Sequence, residues 1–458
     1  MRVSSSVRRG LAAVIALVTL AGGCSSTDAS PRSHAKPTPA GPTVIDFAVY
    51  GPTPVVAAYK EIAARYTVAH PTEKVVVHAY ATHDQAMAAL RAATNRGDPP
   101  DLFLVDHDDL AGLSQDKAVR RVDDLLAERE VDFGDGYTRS GLEAFSADAA
   151  LQCMPADVSP LVVYYNPKLI ELDTLAQPGH NPVNQQNGWS LDEFAAAALQ
   201  PRGPGVRGLY IAPDLEQVAP FIWSGGGEVV DEVDAPTTLT LGDDASAAAL
   251  EKLLVLVRNP ALTFSQAALR RQSALDRFKA GKLGMILGFR DLTPELRAQQ
   301  ELTFDVMPLP KVSKGATIAT MSGLCISSKS TQTAKAADFL TAVVSDAAEK
   351  SLAATGYVMP ANLDVVNSDV FLQGGQRPLS ANVFAREVRN TKLLPSTPGW
   401  SLVNKAASRD LFQLFYDPVI EPLTDRLKAM DTASVPLFDH SATPGASPSA
   451  SPSASPSG

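Results

Sequence analysis

From Thr43 onward the hydrophobic positions switch repeatedly between two periods. Short β-branched runs at Val44–Val49, Lys74–Tyr80 and Asp101–Val105 alternate with segments at Val55–Ala69 and Asp84–Thr94 whose apolar residues recur at helical spacing. Strands separated by helices of this length predict parallel βαβ units. A second alternation begins at Leu161–Tyr165. It predicts helices at Leu191–Leu199, Ala245–Val257 and Ala267–Ala280, with strands at Gly208–Ile211, Leu283–Leu287 and Phe304–Met307. Beyond Ser322–Ser327 helical periods dominate, at Thr333–Val344, Asp346–Ala354, Val403–Phe415 and Pro418–Met430. The fold class is therefore α/β, with two sheet-bearing units.

The ends of the chain follow other rules. Arg2, Arg8 and Arg9 precede the apolar run Leu11–Leu20, broken only by Thr19, and Ala21-Gly22-Gly23-Cys24 follows. This is the order of an export signal over residues 1–23, and its apolar run is shorter than the about 20 residues a permanent membrane span needs. The pattern resembles the lipobox of bacterial lipoproteins, which implies that Cys24 becomes a lipidated N-terminus. Leu20 sits one position earlier than the usual spacing, so plain secretion is the alternative. Residues 24–43 are rich in Ser, Thr and Pro and read as a disordered tether. Residues 436–458, dominated by Ser-Pro-Ser-Ala repeats, read as a disordered tail that cannot offset its own ordering entropy.

About 390 residues lie between these ends, enough for two domains. The formal charge of −10, without a Lys/Arg cluster, argues against a nucleic-acid surface. Of three cysteines one is Cys24, which leaves too few for a four-cysteine zinc site or a disulfide-built scaffold. Cys153 and Cys325 can pair with each other in an oxidising compartment. Metalloprotease, nucleophile-elbow and Walker signatures are missing, and the run Gly225-Gly226-Gly227 lacks the Lys-Ser/Thr of a phosphate cradle. The expectation is a non-enzyme with no cofactor and no metal.

Asp106-His107-Asp108-Asp109 follows a predicted strand, and in open α/β sheets ligands lie at the carboxyl ends of strands. Its spacing is not that of a calcium loop, so these carboxylates read as ligand-binding. A solvated helix N-terminus is the alternative. Trp223 before the glycine run, Phe289 after Gly288 and Trp400 after Gly399 read as flat apolar faces suited to a sugar ring, against the alternative of core packing. Tyr50, ending the first strand, is a further lining candidate.

Five motifs in order carry a family resemblance over Val44–Ala433. They are Gly97-Asp98-Pro99-Pro100-Asp101 running into Asp106; Met154-Pro155 with Val163-Tyr164-Tyr165-Asn166; Gly188-Trp189-Ser190-Leu191-Asp192-Glu193-Phe194; Phe278-Lys279-Ala280-Gly281-Lys282-Leu283-Gly284-Met285; and Ser322-Gly323-Leu324-Cys325-Ile326-Ser327. Together they resemble the extracellular solute-binding lipoproteins of ABC importers, of the maltose-binding-protein type. The third motif departs from the usual order, with Trp189 ahead of Ser190.

The resemblance implies a two-lobe periplasmic-binding-protein-like fold of type II, closing on a ligand at a hinge. It places lobe 1 at 44–152 and 326–384, and lobe 2 at 153–325 and 385–435. It implies that Asp106, His107, Asp108, Asp109, Trp223, Phe289, Arg290, Asp291, Ser322 and Trp400 hold a sugar or oligosaccharide, to which Tyr50 is added by its strand-end position alone. It further implies a monomer that works with ABC permease subunits at the outer face of the membrane. It puts Cys153 and Cys325 on the two hinge crossings, where they can form a disulfide. Two alternatives remain: the same fold binding a polyamine, a peptide or another non-sugar solute, and a lipid-anchored glycoside hydrolase with paired carboxylates.

Overall fold

The computed structural model describes residues 41–438 apart from 132, 176–180, 398 and 419–421. The export signal, Cys24, most of the tether and the tail beyond 438 lie outside the described residues. Strand β1 (Thr43–Tyr50) pairs in parallel with β2 (Glu73–Tyr80) and β3 (Leu102–Asp106), connected by helices α1 (Thr53–Ala69) and α2 (His83–Arg96). The ends of α2 are set locally. Thr82 accepts a hydrogen bond from the Gln85 backbone at its start, and Gly97 closes it at φ 81°, a left-handed conformation that favours glycine.

Apart from a two-stranded hairpin of Ser146–Ala147 with Ala150–Leu151, the other strands are β4 (Val119–Arg120), β5 (Cys153–Pro160), β6 (Val162–Tyr165), β7 (Arg207–Tyr210), β8 (Leu283–Gly288), β9 (Asp305–Met307) and β10 (Ala319–Ser327). They build two main sheets. The first is six-stranded, in the order β2-β1-β3-β10, with β4 and β5 both antiparallel to β10. The second is four-stranded, in the order β9-β6-β8-β7, with β8 and β7 parallel and the other pairs antiparallel.

Side-chain alternation shows why the strands of the second sheet read as unbroken apolar runs. On β6, Val162 and Tyr164 join one core while Val163 and Tyr165 join the other, and on β8 Ile286 and Met285 divide in the same way. Both faces are buried, so neither needs polar positions. One face is covered by residues 371–388: the Phe384 ring lies 6.2 Å from Tyr164, and Ser380 donates to the Asp305 carboxylate at 2.9 Å. The boundary drawn at 384 thus falls inside a segment that already belongs to the second sheet.

Helix α3 (Leu191–Ala198) begins in a reciprocal cap in which Ser190 and Glu193 satisfy each other's backbone N–H. Helices α4 (Leu215–Gly225), α5 (Asp244–Val257), α8 (Trp400–Tyr416) and α9 (Leu423–Phe438) pack together around the second lobe's core. On the first lobe, α6 (Thr333–Val343) and α7 (Asp346–Ala353) pack on α1. Two expectations change. The helix expected over 267–280 is two short helices, Gln266–Arg271 and Ala274–Lys279, because Ser273 caps the second. The tail expected from 436 is helical as far as Phe438, which is buried.

The chain crosses between sheets at Pro160–Val162 and returns at Thr317–Ala319, where Leu161 N–H donates to the Ile318 carbonyl at 2.8 Å. The segment at Thr391–Lys392 runs beside the return crossing: Lys392 N–H donates to the Thr317 carbonyl at 2.9 Å. Cys153 and Cys325 form a disulfide, with Cα atoms 4.4 Å apart. They sit opposite each other at the far ends of β5 and β10, so the bond lies inside the first sheet and not at the hinge. The reason is register: β5 and β10 pair from the crossing back to the cysteines, with one shift of register between Ser322 and Gly323.

Candidate functional site

A cavity of about 380 Å³ opens between the lobes at the carboxyl ends of β1 and β3. The first lobe contributes Tyr50, Asp106, His107 and Asp108; the crossing strands contribute Asp157, Ser159, Thr320 and Ser322. From the second lobe come Glu216 on the first turn of α4, Asp291 just after β8, and Trp400 and Asn404 on α8. The strand-end position follows from topology. Ser322 of β10 pairs with Asp106 of β3, and the two strands are antiparallel, so the last residue of β3 and the first half of β10 meet the cleft together.

The acidic turn is held by its own hydrogen bonds. Tyr50 donates its hydroxyl to Asp106, while Asp109 accepts from the Asp106 backbone at 3.1 Å and lies 2.6 Å from His83 Nε2. These bonds hold the one-turn 3₁₀ segment His107–Asp109 in place, so Asp109 positions the turn and does not itself line the cavity. The bond to Asp109 pushes His83 up to about 8. Asp108 stays largely exposed, its side chain 71% accessible.

Four carboxyls on the cleft wall are harder to ionise than usual. Burial is the first cause for each. It raises Asp106 despite the Tyr50 hydrogen bond, and raises Asp291. Asp157 is pushed up to about 8 by burial and then by the charges of Asp291 and Asp106, although its carboxylate accepts from Met359 N–H at 2.9 Å. Glu216 is pushed up to about 7 by burial and then by Asp214, Asp108 and Asp291. Carboxylates of both lobes therefore feel one another across the cavity.

Several expected lining residues lie elsewhere. Trp223 is 2% exposed in the second lobe's core, with Lys392 Nζ 5.4 Å from its ring centroid. It is helical, not in a loop, and the glycines after it serve packing. A Cβ on Gly225 would stand 2.6 Å from Ala249, Gly226 ends α4 at φ 92°, and a Cβ on Gly227 would stand 2.5 Å from Ser246. Phe289 packs on the second core, and its carbonyl accepts from Tyr164 at 2.7 Å. Arg290 is fully buried behind the cleft wall: its backbone donates to Ser159 at 2.8 Å and its guanidinium lies 4.7 Å from the Phe371 ring centroid.

Trp400 has a double place. It lines the cavity yet is only 3% exposed, with its ring 6.3 Å from Phe438. Asp157, Ser159, Glu216 and Asn404 went unread in the sequence. For Asp157 a signal existed, since it lies two residues past Met154-Pro155, but Glu216 carries none because only the lobe arrangement brings α4 to the cleft.

Acceptors, a few hydroxyls and apolar walls suit reversible capture of a small polar molecule. Among the described residues, no group of three or more His, Cys, Asp or Glu is arranged to hold a metal ion.

The family model described as bacterial extracellular solute-binding protein matches residues 61–378. Among curated proteins there is no sequence match. Solved structures share the fold at low identity. The sugar-binding protein MalE of Xanthomonas citri superposes with a TM-score of 0.74 at 15% identity, covering 86% of this chain and 97% of its own. An ABC substrate-binding protein of Listeria monocytogenes in complex with cycloalternan gives 0.71 at 18%, covering 86% and 98%. UgpB of Mycobacterium tuberculosis in complex with glycerophosphocholine gives 0.67 at 20%, covering 88% and 99%.

Proposed function

Because the chain belongs to the bacterial extracellular solute-binding proteins, we propose that it captures a sugar or oligosaccharide between its lobes and delivers it to an ABC permease. The observation that carries this reading is the cleft itself, lined from both lobes and floored by the strands that connect them. Asp157, Ser159, Thr320 and Ser322 lie on those strands, so a ligand held there touches the hinge as well as both lobes. Closure then needs a ligand that binds the closed arrangement better than the open one; a swing from 1:99 to 99:1 takes about 5.5 kcal/mol of difference. Hydrogen bonds from hydroxyls to the carboxylates, with apolar contact at Trp400, supply interactions of that kind. The sugar-bound relatives of this fold point the same way.

The test is a thermal-shift panel of mono- and oligosaccharides. A ligand that binds only the native state stabilises by RT ln(1 + [L]/Kd), about 2.7 kcal/mol at a hundred times Kd. At least one saccharide is expected to raise the melting temperature. A panel without any saccharide response, alongside a response to a polyamine or peptide, overturns the sugar reading; release of new reducing ends from an oligosaccharide favours the hydrolase.

Membrane attachment through lipid on Cys24 completes the proposal. Among the described residues no helix is long and apolar enough to cross a membrane. Lipid chains at about 0.8 kcal/mol per buried methylene can hold the protein when two or more are present. Cys24→Ala is expected to move the protein from the membrane fraction to the soluble one, and undiminished membrane retention of the variant refutes the anchor.

A further inference from the structure

The cavity, not its acidity, makes the site; the acidity says what fits it. Asp106, Asp108 and Asp157 face it from the first lobe and the crossing strand, and Glu216 and Asp291 face it from the second. Among the described residues lining the cavity there is no lysine or arginine, and His107 is the one basic side chain. Two cations stand outside the lining: His83, raised to about 8, lies 3.8 Å from Asp106, and the buried Arg290 lies behind Ser159 with its guanidinium over Phe371 and Phe384. Two of the five carboxylates are engaged by protein donors: Asp106 by the Tyr50 hydroxyl and Asp157 by the Met359 backbone.

Resting on the sugar-receptor reading above, we infer that the natural ligand is an aminated saccharide, whose ammonium group sits among the carboxylates of the two lobes. A neutral hydroxyl can pair with the Ser, Thr and Asn side chains of this wall as well as with its carboxylates, but it brings no charge to set against five acidic groups. An ammonium brings three donors, no acceptor and the missing charge. Apolar surface at Val55, Leu104 and Val358 with the Trp400 and Tyr357 rings gives the cavity the breadth for a sugar ring, where a slender polyamine would leave contacts unmade. The raised pKa values of Asp157 and Glu216, caused first by burial and then by the neighbouring acidic groups, agree with this: a cation between the carboxylates favours their charged forms. Closure would then be selective, because carboxylates of opposite lobes approach favourably only around a positive charge.

The experiment is calorimetric titration of the purified full chain with four probes: the glucosamine disaccharide chitobiose, its N,N′-diacetyl form, maltose and spermidine. Acetylation removes the charge and keeps the sugar frame. Chitobiose is expected to bind at least tenfold more tightly than the diacetyl form and maltose, and to weaken as salt is raised. In Glu216→Gln and Asp291→Asn that ratio is expected to fall towards one, with the unliganded melting temperature reporting that each variant folds. If maltose or the diacetyl form binds as tightly as chitobiose, or if the two variants keep the full ratio, the inference is overturned and the sugar-receptor reading stands. If no saccharide binds, both are overturned, and spermidine binding then identifies a polyamine site.

Discussion

Loss of the Cys153–Cys325 disulfide is expected to lower stability by roughly 3–5 kcal/mol while leaving ligand affinity within about twofold. The bond spans 172 residues of sequence, and the loop it closes contains all four strands of the second sheet. In the chain-entropy account the benefit arises in the unfolded state, and for a loop this long it reaches about 5 kcal/mol. Affinity should be spared because Cys153 and Cys325 lie beyond the cleft-lining positions of β5 and β10, towards the interior of the first sheet. Both cysteines are fully buried, so Cys153→Ala/Cys325→Ala adds the loss of two sulfur atoms from the core to the lost cross-link. Urea denaturation of oxidised, reduced and double-variant protein separates the two contributions. Coincident curves for oxidised and reduced protein would show that the cross-link carries no stability, and a large loss of affinity would place it in the hinge mechanism.

Glu349 is expected to make the protein markedly less stable at alkaline pH, and Glu349→Gln to remove most of that dependence. The residue lies on α7, 2% exposed, and its Oε2 has no hydrogen-bond partner. Burial, followed by the charge of Asp346, pushes its carboxyl up to about 9. In the folded protein it is therefore neutral across most of the working range, while in the unfolded chain it ionises near its ordinary value. A group whose folded pKa is raised contributes stability that is fully present below the unfolded pKa and is lost as pH rises through the folded value. The window runs from about pH 4.5 to about pH 9, and Asp157, raised to about 8, acts in the same direction. Glutamine keeps the shape without the ionisation. The variant should match wild type within about 1 kcal/mol at pH 5 and exceed it by roughly 2–4 kcal/mol at pH 8.5. Urea midpoints at the two pH values decide this, and parallel profiles for variant and wild type would exclude Glu349 as the cause.

Local pattern determined the elements of this protein, and the lobe arrangement determined which side chains share the cleft. The strand–helix–strand opening over residues 43–106 is legible because each element's period, cap and glycine stop lie within a few residues of one another, as at Thr82 and Gly97 around α2. Asp106, His107 and Asp108 were legible for the same reason: the end of an apolar strand is a sequence feature, and in a parallel sheet that end is where ligands lie. Trp223 and Trp400 looked alike beside their glycines, yet the first is buried in the second lobe's core, whereas the second reaches the cavity from the start of α8. Glu216 had no local mark at all, and nothing in 371–388 announced that it covers the second sheet. Whether a side chain is core, wall or ligand contact depends on what packs against its element, and those partners are supplied by residues tens to hundreds of positions away. That part of the protein only the tertiary structure decided.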